Sequence, residues 1–269
     1  MKRCLFLILV ALPLVCAYTA TAQVLPGVFS VSATKKVMFS KGNLQYNVPN
    51  GTWRFAEHQW DYVGGTIDDE HDGNVSGSTN DNAAGPWIDL FGCSTWLEGG
   101  NPTNTSDDNG NYPKLAGKKP AIGAEWQSPT LEEWQYLISF GDNVNSTRTG
   151  KYGEGKVNGV PVVILLPDDW TYPSNLSAES TSAKDFTPEG SPWDNVYTAD
   201  DWAKMEAAGA VFLPAAGGCV GTEVNFVGMG GNYWSQESDS VLGFYPGGVG
   251  TDNDSYSYYG RSVRLVREF

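Results

Sequence analysis

The chain has 269 residues, with 17 Lys and Arg against 31 Asp and Glu and a net charge of −14. That balance excludes a nucleic-acid binder, which needs a basic face, and argues against docking on anionic lipid. The simplest consequence of the charge is solubility.

The first residues set the compartment. Lys2 and Arg3 form a positive segment, and Cys4 to Val15 is an almost unbroken apolar run, too short to span a bilayer comfortably. Ala20-Thr21-Ala22 then supplies a small-x-small cleavage site, with Gln23 as the new N-terminus. Lipidation at Cys16 would need a small residue before it, and Val15 stands there. Residues 1–22 therefore read as a signal peptide and 23–269 as a single exported domain, secreted or held at the cell surface, with no membrane insertion of the mature chain. The mature chain keeps 15 basic and 31 acidic residues and all ten Trp. Cys93 and Cys219 are its only cysteines. In an oxidising compartment they suggest one disulfide, with two buried free thiols as the alternative. Closing so long a loop would contribute roughly 4–5 kcal/mol in the chain-entropy account.

Along the chain, Val28 to Phe39 alternates as a strand, with Phe29, Val31, Val37 and Phe39 facing inward. Leu44 to Val48 and Trp53 to Phe55 form a hairpin turned at Pro49-Asn50-Gly51. Thr66 to Ala84 and Glu98 to Gly117 are long polar surface loops. A first helix follows Pro129. Thr130 is its N-cap, Glu133 completes a capping box, and Leu131, Trp134, Leu137 and Ile138 share one face. A second starts at Thr198, with Asp200 and Asp201 in its first turn, Trp202 and Met205 on its apolar face, and Gly209 as terminator. Val160 to Leu166 is a strand buried on both faces. Ala210 to Pro214, Asn232 to Ser235, Val241 to Tyr245 and Ser262 to Val266 read as short strands of a final antiparallel sheet. No linker divides the mature chain and no repeat is visible.

Several of these segments recur as a set in one known family. Trp87-Ile88-Asp89-Leu90-Phe91-Gly92 is followed by Pro129-Thr130 with Glu133-Trp134-Gln135-Tyr136-Leu137. Then come Leu165-Leu166-Pro167-Asp168-Asp169-Trp170 and the stretch from Trp202 to Gly217. Gly231-Asn232-Tyr233-Trp234-Ser235 and Ser262-Val263-Arg264-Leu265-Val266-Arg267 close the chain. From about Ser30 to the end, this order resembles the exported proteins of the "major paralogous domain" type (FISUMP-like). That family is related to the formylglycine-generating-enzyme branch of the C-type lectin fold. The resemblance implies an α+β, C-type lectin-like fold: two main helices around short twisted antiparallel sheets, with long irregular loops. Members of the family usually carry small or aromatic residues where Cys93 and Cys219 stand, a joint departure that fits a mutual disulfide.

Catalysis finds little support. His58 and His71 are the only histidines, and a nucleophile–base unit would need one of them. His58 lies among Trp53, Phe55, Trp60 and Tyr62 and reads as a packed structural histidine. His71 lies in an acidic loop. No cofactor is expected, with calcium as the one candidate. Asp68-Asp69-Glu70-His71-Asp72-Gly73 starts like a calcium loop, but Thr79 stands where the bidentate Glu belongs. Asp107, Asn109 and Asn111 form a similar partial run. Asp168-Asp169 would cap a turn at a strand end. Asp239-Ser240-Val241 fits a short bacterial O-glycosylation pattern.

The most informative stretch is Thr251 to Tyr259, composed of Asp, Asn, Ser and Tyr around one Thr. Tyr gives rigid contact area at low entropy cost, and Ser, Asn and Asp supply adaptable hydrogen bonds, as in antibody binding loops. These residues also have codons related through adenine, as in proteins diversified by retroelements. The expected ligand-binding set is Trp234, Asp239, Asp252, Asn253, Asp254, Tyr256, Tyr258 and Tyr259, facing an extracellular glycan or protein. A structural part of a surface appendage or envelope layer is the alternative. A formylglycine-generating-type oxidoreductase with a reactive Cys93 or Cys219 is a third reading.

Overall fold

The computed structural model describes residues 23–47, 50–63, 87–92, 122–144, 147–177, 195–220, 223–237, 239–253, 256 and 259–269. The signal-peptide residues, both long polar loops, Cys93, His71, Asp254 and Tyr258 lie outside them. So does the side chain of Cys219.

The fold is β-rich. The described residues hold fifteen strands and only two α-helices, of seven and nine residues. This overturns the α+β, C-type lectin-like expectation. Both helices form where the sequence places them, but each is stopped after about two turns. Helix α1 (Leu131–Leu137) runs into Ser139, whose φ of 50° is left-handed. Helix α2 (Ala199–Ala207) runs into Gly209 at φ 97°, packed so closely on Gly27 that a side chain has no room. Neither is long enough to organise the domain, and the sheets do so instead.

Strands β1 (Phe29–Ser30) and β2 (Lys36–Phe39) are one expected strand broken by a turn. There Val31 N–H donates to Lys35 O, and the Ser32 hydroxyl accepts from Thr34 and Lys35 N–H. The inward set Phe29, Val31, Val37 and Phe39 is buried as expected. Strands β3 (Leu44–Asn47) and β4 (Thr52–Phe55) pair as the expected hairpin, Leu44 opposite Phe55, and β5 (Trp87–Ile88) adds to β3. Strand β6 (Tyr152–Val157) and strand β7 (Val160–Leu165) form a second hairpin. β8 (Asn195–Tyr197) and β9 (Val211–Pro214) complete a sheet in the order β8-β6-β7-β9.

The expected final sheet is differently built. β9 belongs with β7. The five-stranded sheet is instead β11-β10-β12-β13-β14, from β10 (Ala216–Val220), β11 (Glu223–Val227), β12 (Gly231–Trp234), β13 (Val241–Tyr245) and β14 (Gly248–Asp252). Within it β10 and β12 are parallel. The chain after Ser262 leaves this sheet, and β15 (Val266–Glu268) pairs with β2. Strands β6, β10 and β14 escape sequence reading because they are Gly-rich, and β8 and β11 because they are short, β11 alternating over only Glu223 to Phe226.

Side chains from three sheets meet α1 in the largest core cluster, where Phe29, Phe39, Trp134, Leu213, Tyr233, Phe244 and Val266 are buried. Each large apolar side chain contributes roughly 1.5–3 kcal/mol by burial. One buried cation ties the layers together. Arg264 is fully buried, and its Nε donates to Asn43 Oδ1 at 3.1 Å. Its terminal nitrogens reach Ser40 O (3.2 Å), Phe212 O (2.6 Å) and Gln59 O (3.5 Å). Burial lowers its pKa to about 10, partly opposed by Tyr233 and Glu206, so it stays a cation at neutral pH.

Candidate functional site

The C-terminal surface is assembled on β12, β13 and β14. Val241 pairs with Asp252, so the loop before β13 and the loop after β14 emerge at the same end of the sheet. Both are anchored. Ser235 N–H donates to Ser240 O, closing the first loop, and Gln236 N–H donates to Pro129 O. Glu237 accepts from Leu131 N–H at the start of α1. Asp239 is exposed within this loop at a φ of 73°. The second loop returns through Arg261, which exchanges backbone hydrogen bonds with Phe91, and Ser262, which bridges Asn232 and Trp234. Asp252 and Asn253 are exposed where β14 ends.

Beyond them, Tyr256 is 58% exposed and meets Tyr259 edge to face at 5.4 Å. The Arg261 guanidinium lies 4.8 Å from the Tyr259 ring centre. Arg261 in turn points the Nη1 end of its guanidinium at β10: a Cβ on Gly218 would stand 2.1 Å from it. Gly218, Arg261, Tyr259 and Tyr256 thus form a stack from the sheet outward, with the outermost ring offered to solvent. Such a ring is held before any ligand arrives.

Trp234 does not join this surface. It is fully buried, and its indole N–H donates to Phe91 O at 2.5 Å. It holds the base of the loop and has no face to stack on a ligand. Of the expected set, Asp239, Asp252, Asn253, Tyr256 and Tyr259 gather at one end, and Asp254 and Tyr258 lie outside the described residues. Arg261 and Gly218 were not singled out from sequence. The available signal was a cation two residues after a tyrosine run.

The remaining candidates resolve as scaffold. His58 is exposed, not packed inside, and lies flat on Trp60 with ring centres 4.8 Å apart and planes 3° apart. Asp168 accepts from Ser30 N–H (2.9 Å) and Ser30 Oγ (2.7 Å) and pairs with Lys36 (3.0 Å) and the buried Arg148 (3.5 Å). Burial alone would raise its carboxyl, but the hydrogen bonds from Ser30 and the Lys36 charge outweigh it, and the pKa falls below the usual value. Burial lowers Arg148 to about 10, against the pull of Asp168. Glu154 accepts from Gly247 and Gly248 N–H, holding the β13–β14 turn, and burial raises its pKa despite those bonds. Among the described residues no group of His, Cys, Asp and Glu could hold a metal ion, and no helix is long and apolar enough to cross a membrane.

Set against family models, curated proteins and solved structures, the chain matches none.

Proposed function

We propose that the protein is an exported, non-catalytic binding module. Its ligand surface is Asp239, Asp252, Asn253, Tyr256 and Tyr259, extended by Asp254 and Tyr258. The observation that carries this reading is the stack of Tyr256 on Tyr259 on Arg261. An exposed aromatic ring supported from below, flanked by exposed Asp and Asn, suits a glycan or a protein surface. The ring supplies contact area and the polar groups supply direction. The signal-like first 22 residues support export, and the resemblance to exported FISUMP-like proteins agrees. The adenine-related codon set of residues 251–259 supports a diversified loop; variable adenine codons beside a template repeat in the gene would test that separately.

The test is a glycan-array and cell-surface binding screen with residues 23–269, with and without calcium. A saturable hit is expected. Replacing Tyr256 and Tyr258 together by Ala should abolish it while leaving the melting temperature unchanged. Normal binding by that folded variant would remove the assignment.

A further inference from the structure

The sheet β4-β3-β5 has one face in the core and one outside. Leu44, Tyr46, Phe55 and Ile88 belong to the buried cluster around Trp234. The alternate positions make the other face, and the register sets them in two rows. Arg54 stands opposite Gln45, and Thr52, Asn47 and Trp87 form the next row. Arg54 is thus on one outer strand and Trp87 on the other, with β3 between them. Three strands span roughly 10 Å. Yet the guanidinium carbon of Arg54 lies 3.7 Å from the centre of the Trp87 ring. The Arg54 side chain therefore crosses β3. Beneath it Gln45 is only 3% and Asn47 4% exposed, although both are polar and on the outer face.

This guanidinium is fixed by two contacts. Its Nε donates to Gln45 Oε1 at 2.8 Å, and the Trp87 ring supports it by cation–π attraction. The N–H groups on its terminal nitrogens meet no acceptor among the described residues. Asp61 and Glu57 act on it only through their field, raising its pKa, and burial outweighs them and lowers it. Other cations are engaged: Lys35 with Glu133, Lys36 with Asp168 and Lys204 with Asp201, while Arg148 and Arg264 are buried. In a chain of net charge −14, Arg54 is exposed, held in shape and paired with no carboxylate. A fork held ready in this way binds an anion without an ordering cost. It suits one that offers two oxygens side by side, a carboxylate or a sulfate. The surroundings decide what carries that anion. Thr52, Asn47 and Gln45 are polar, and the half-buried Trp87 adds part of a ring. The face lacks the apolar anchor that centres a protein interface and suits a ring bearing hydroxyls. The net charge limits the number of anions. A polyanion is repelled by the acidic surface, whereas one anion at contact distance feels mainly the fork, since charges beyond about 8 Å are screened at physiological salt.

We propose that Arg54, seated on Trp87 and Gln45, is a second binding site, for a sugar that carries a single carboxylate or sulfate group. It lies on a different sheet from the Tyr256 surface and does not depend on it.

Ligand-observed saturation-transfer NMR on residues 23–269 tests this, with glucuronic acid and glucose 6-sulfate as probes and glucose as the neutral control. At least one acidic sugar should bind saturably, and glucose should not. Binding of glucuronic acid alone assigns the site to carboxylates, and binding of the sulfate alone assigns it to sulfate esters. The bound probe should also shift the Arg54 Nε–H resonance. Arg54→Lys keeps the charge but loses the fork, and Arg54→Gln loses both. Each should stay folded by circular dichroism and weaken binding roughly tenfold or more. The variant with Tyr256 and Tyr258 replaced by Ala should bind the acidic sugar as the parent does, which separates this site from the Tyr256 surface. The proposal is overturned if neither acidic sugar binds, if glucose binds equally well, or if Arg54→Lys binds like the parent. Loss of acidic-sugar binding in the tyrosine variant also overturns it, by moving the anion to the other surface.

Discussion

Gly217 and Gly218 are neighbours in β10, and replacing each by Ala should have opposite consequences. At Gly218 the new Cβ meets the end of the Arg261 side chain, 2.1 Å from Nη1, with no backbone atom closer than 3.4 Å. The guanidinium can move away, so the fold survives. The Arg261–Tyr259 contact is lost, at a cost of about 0.5–2 kcal/mol. A Gly-to-Ala change gains about 0.4–1 kcal/mol by restricting the unfolded chain. The two partly cancel, and the melting temperature should move by no more than about 6 °C. At Gly217 the φ is 70°, and the Cβ would stand 2.2 Å from the Asn225 carbonyl, a backbone atom inside the β10–β11 pairing. The left-handed conformation costs about 1–2 kcal/mol. Each ladder bond lost as the strands part adds about 0.5–1.5 kcal/mol. A total near 3 kcal/mol lowers the melting temperature by about 6–12 °C. Calorimetry separates the two variants. Near-ultraviolet circular dichroism then reads the tyrosine stack without any ligand, and the binding screen reads its consequence. Gly218→Ala should lose the tyrosine signal and weaken binding roughly tenfold, the equivalent of about 1.4 kcal/mol. If it keeps both, the stack is not what organises the surface, and the argument from Gly218 outward is refuted.

Two further outcomes test the scaffold. Arg264→Met removes the donor shared by Asn43, Ser40, Phe212 and Gln59. It should destabilise the domain by about 3–5 kcal/mol in denaturant unfolding, because the buried acceptors are left without their cation. Asp168 has a pKa below its ordinary value, so its contribution is fully present above the unfolded carboxyl pKa and is lost as pH falls through the lower, folded one. Asp168→Asn should therefore destabilise the protein at neutral pH and flatten the acid limb of its stability profile; an unchanged acid limb would assign that limb to other carboxylates.

Legibility in the sequence followed locality. The capping box at Thr130 and Glu133, the N-cap at Thr198 and the β3–β4 hairpin are all present, since each is set by residues within a few positions. Long-range choices were not legible. Val211–Pro214 could pair in either of two sheets, and its partner β7 lies about fifty residues away. Ala216–Val220 has two glycines and gives no alternation to read, yet Gly218 within it is the strand position that the Arg261 side chain approaches. The exposed aromatics divided the same way. Composition alone marked the tyrosine run near the C-terminus. Phe226 is exposed at a left-handed φ of 64°, which no composition reveals.

The terminal motif shows why Trp234 was misplaced. Trp234, Ser235, Ser262 and Arg264 are all buried, and Val263 and Leu265 pack in the core cluster that also holds Trp234. Ser262 N–H bonds Asn232 O, and Trp234 N–H bonds Ser262 O, so the two halves of the motif are parts of one contact. A pattern this well defined is one that packing demands: a large indole, small hydroxyls where backbones cross, and a cation with four fixed acceptors tolerate few substitutes. A surface that must suit a ligand obeys no such rule. The residues that read as most specific therefore fix the crossing of β12 with the segment leading to β15. The proposed binding loops sit immediately beside them, and the motif holds their bases still. Arg261 belongs to both. Its backbone is locked to Phe91 inside the crossing, and its side chain carries Tyr259 at the surface. Position 261 is thus where a change to the scaffold would first reach the proposed binding surface.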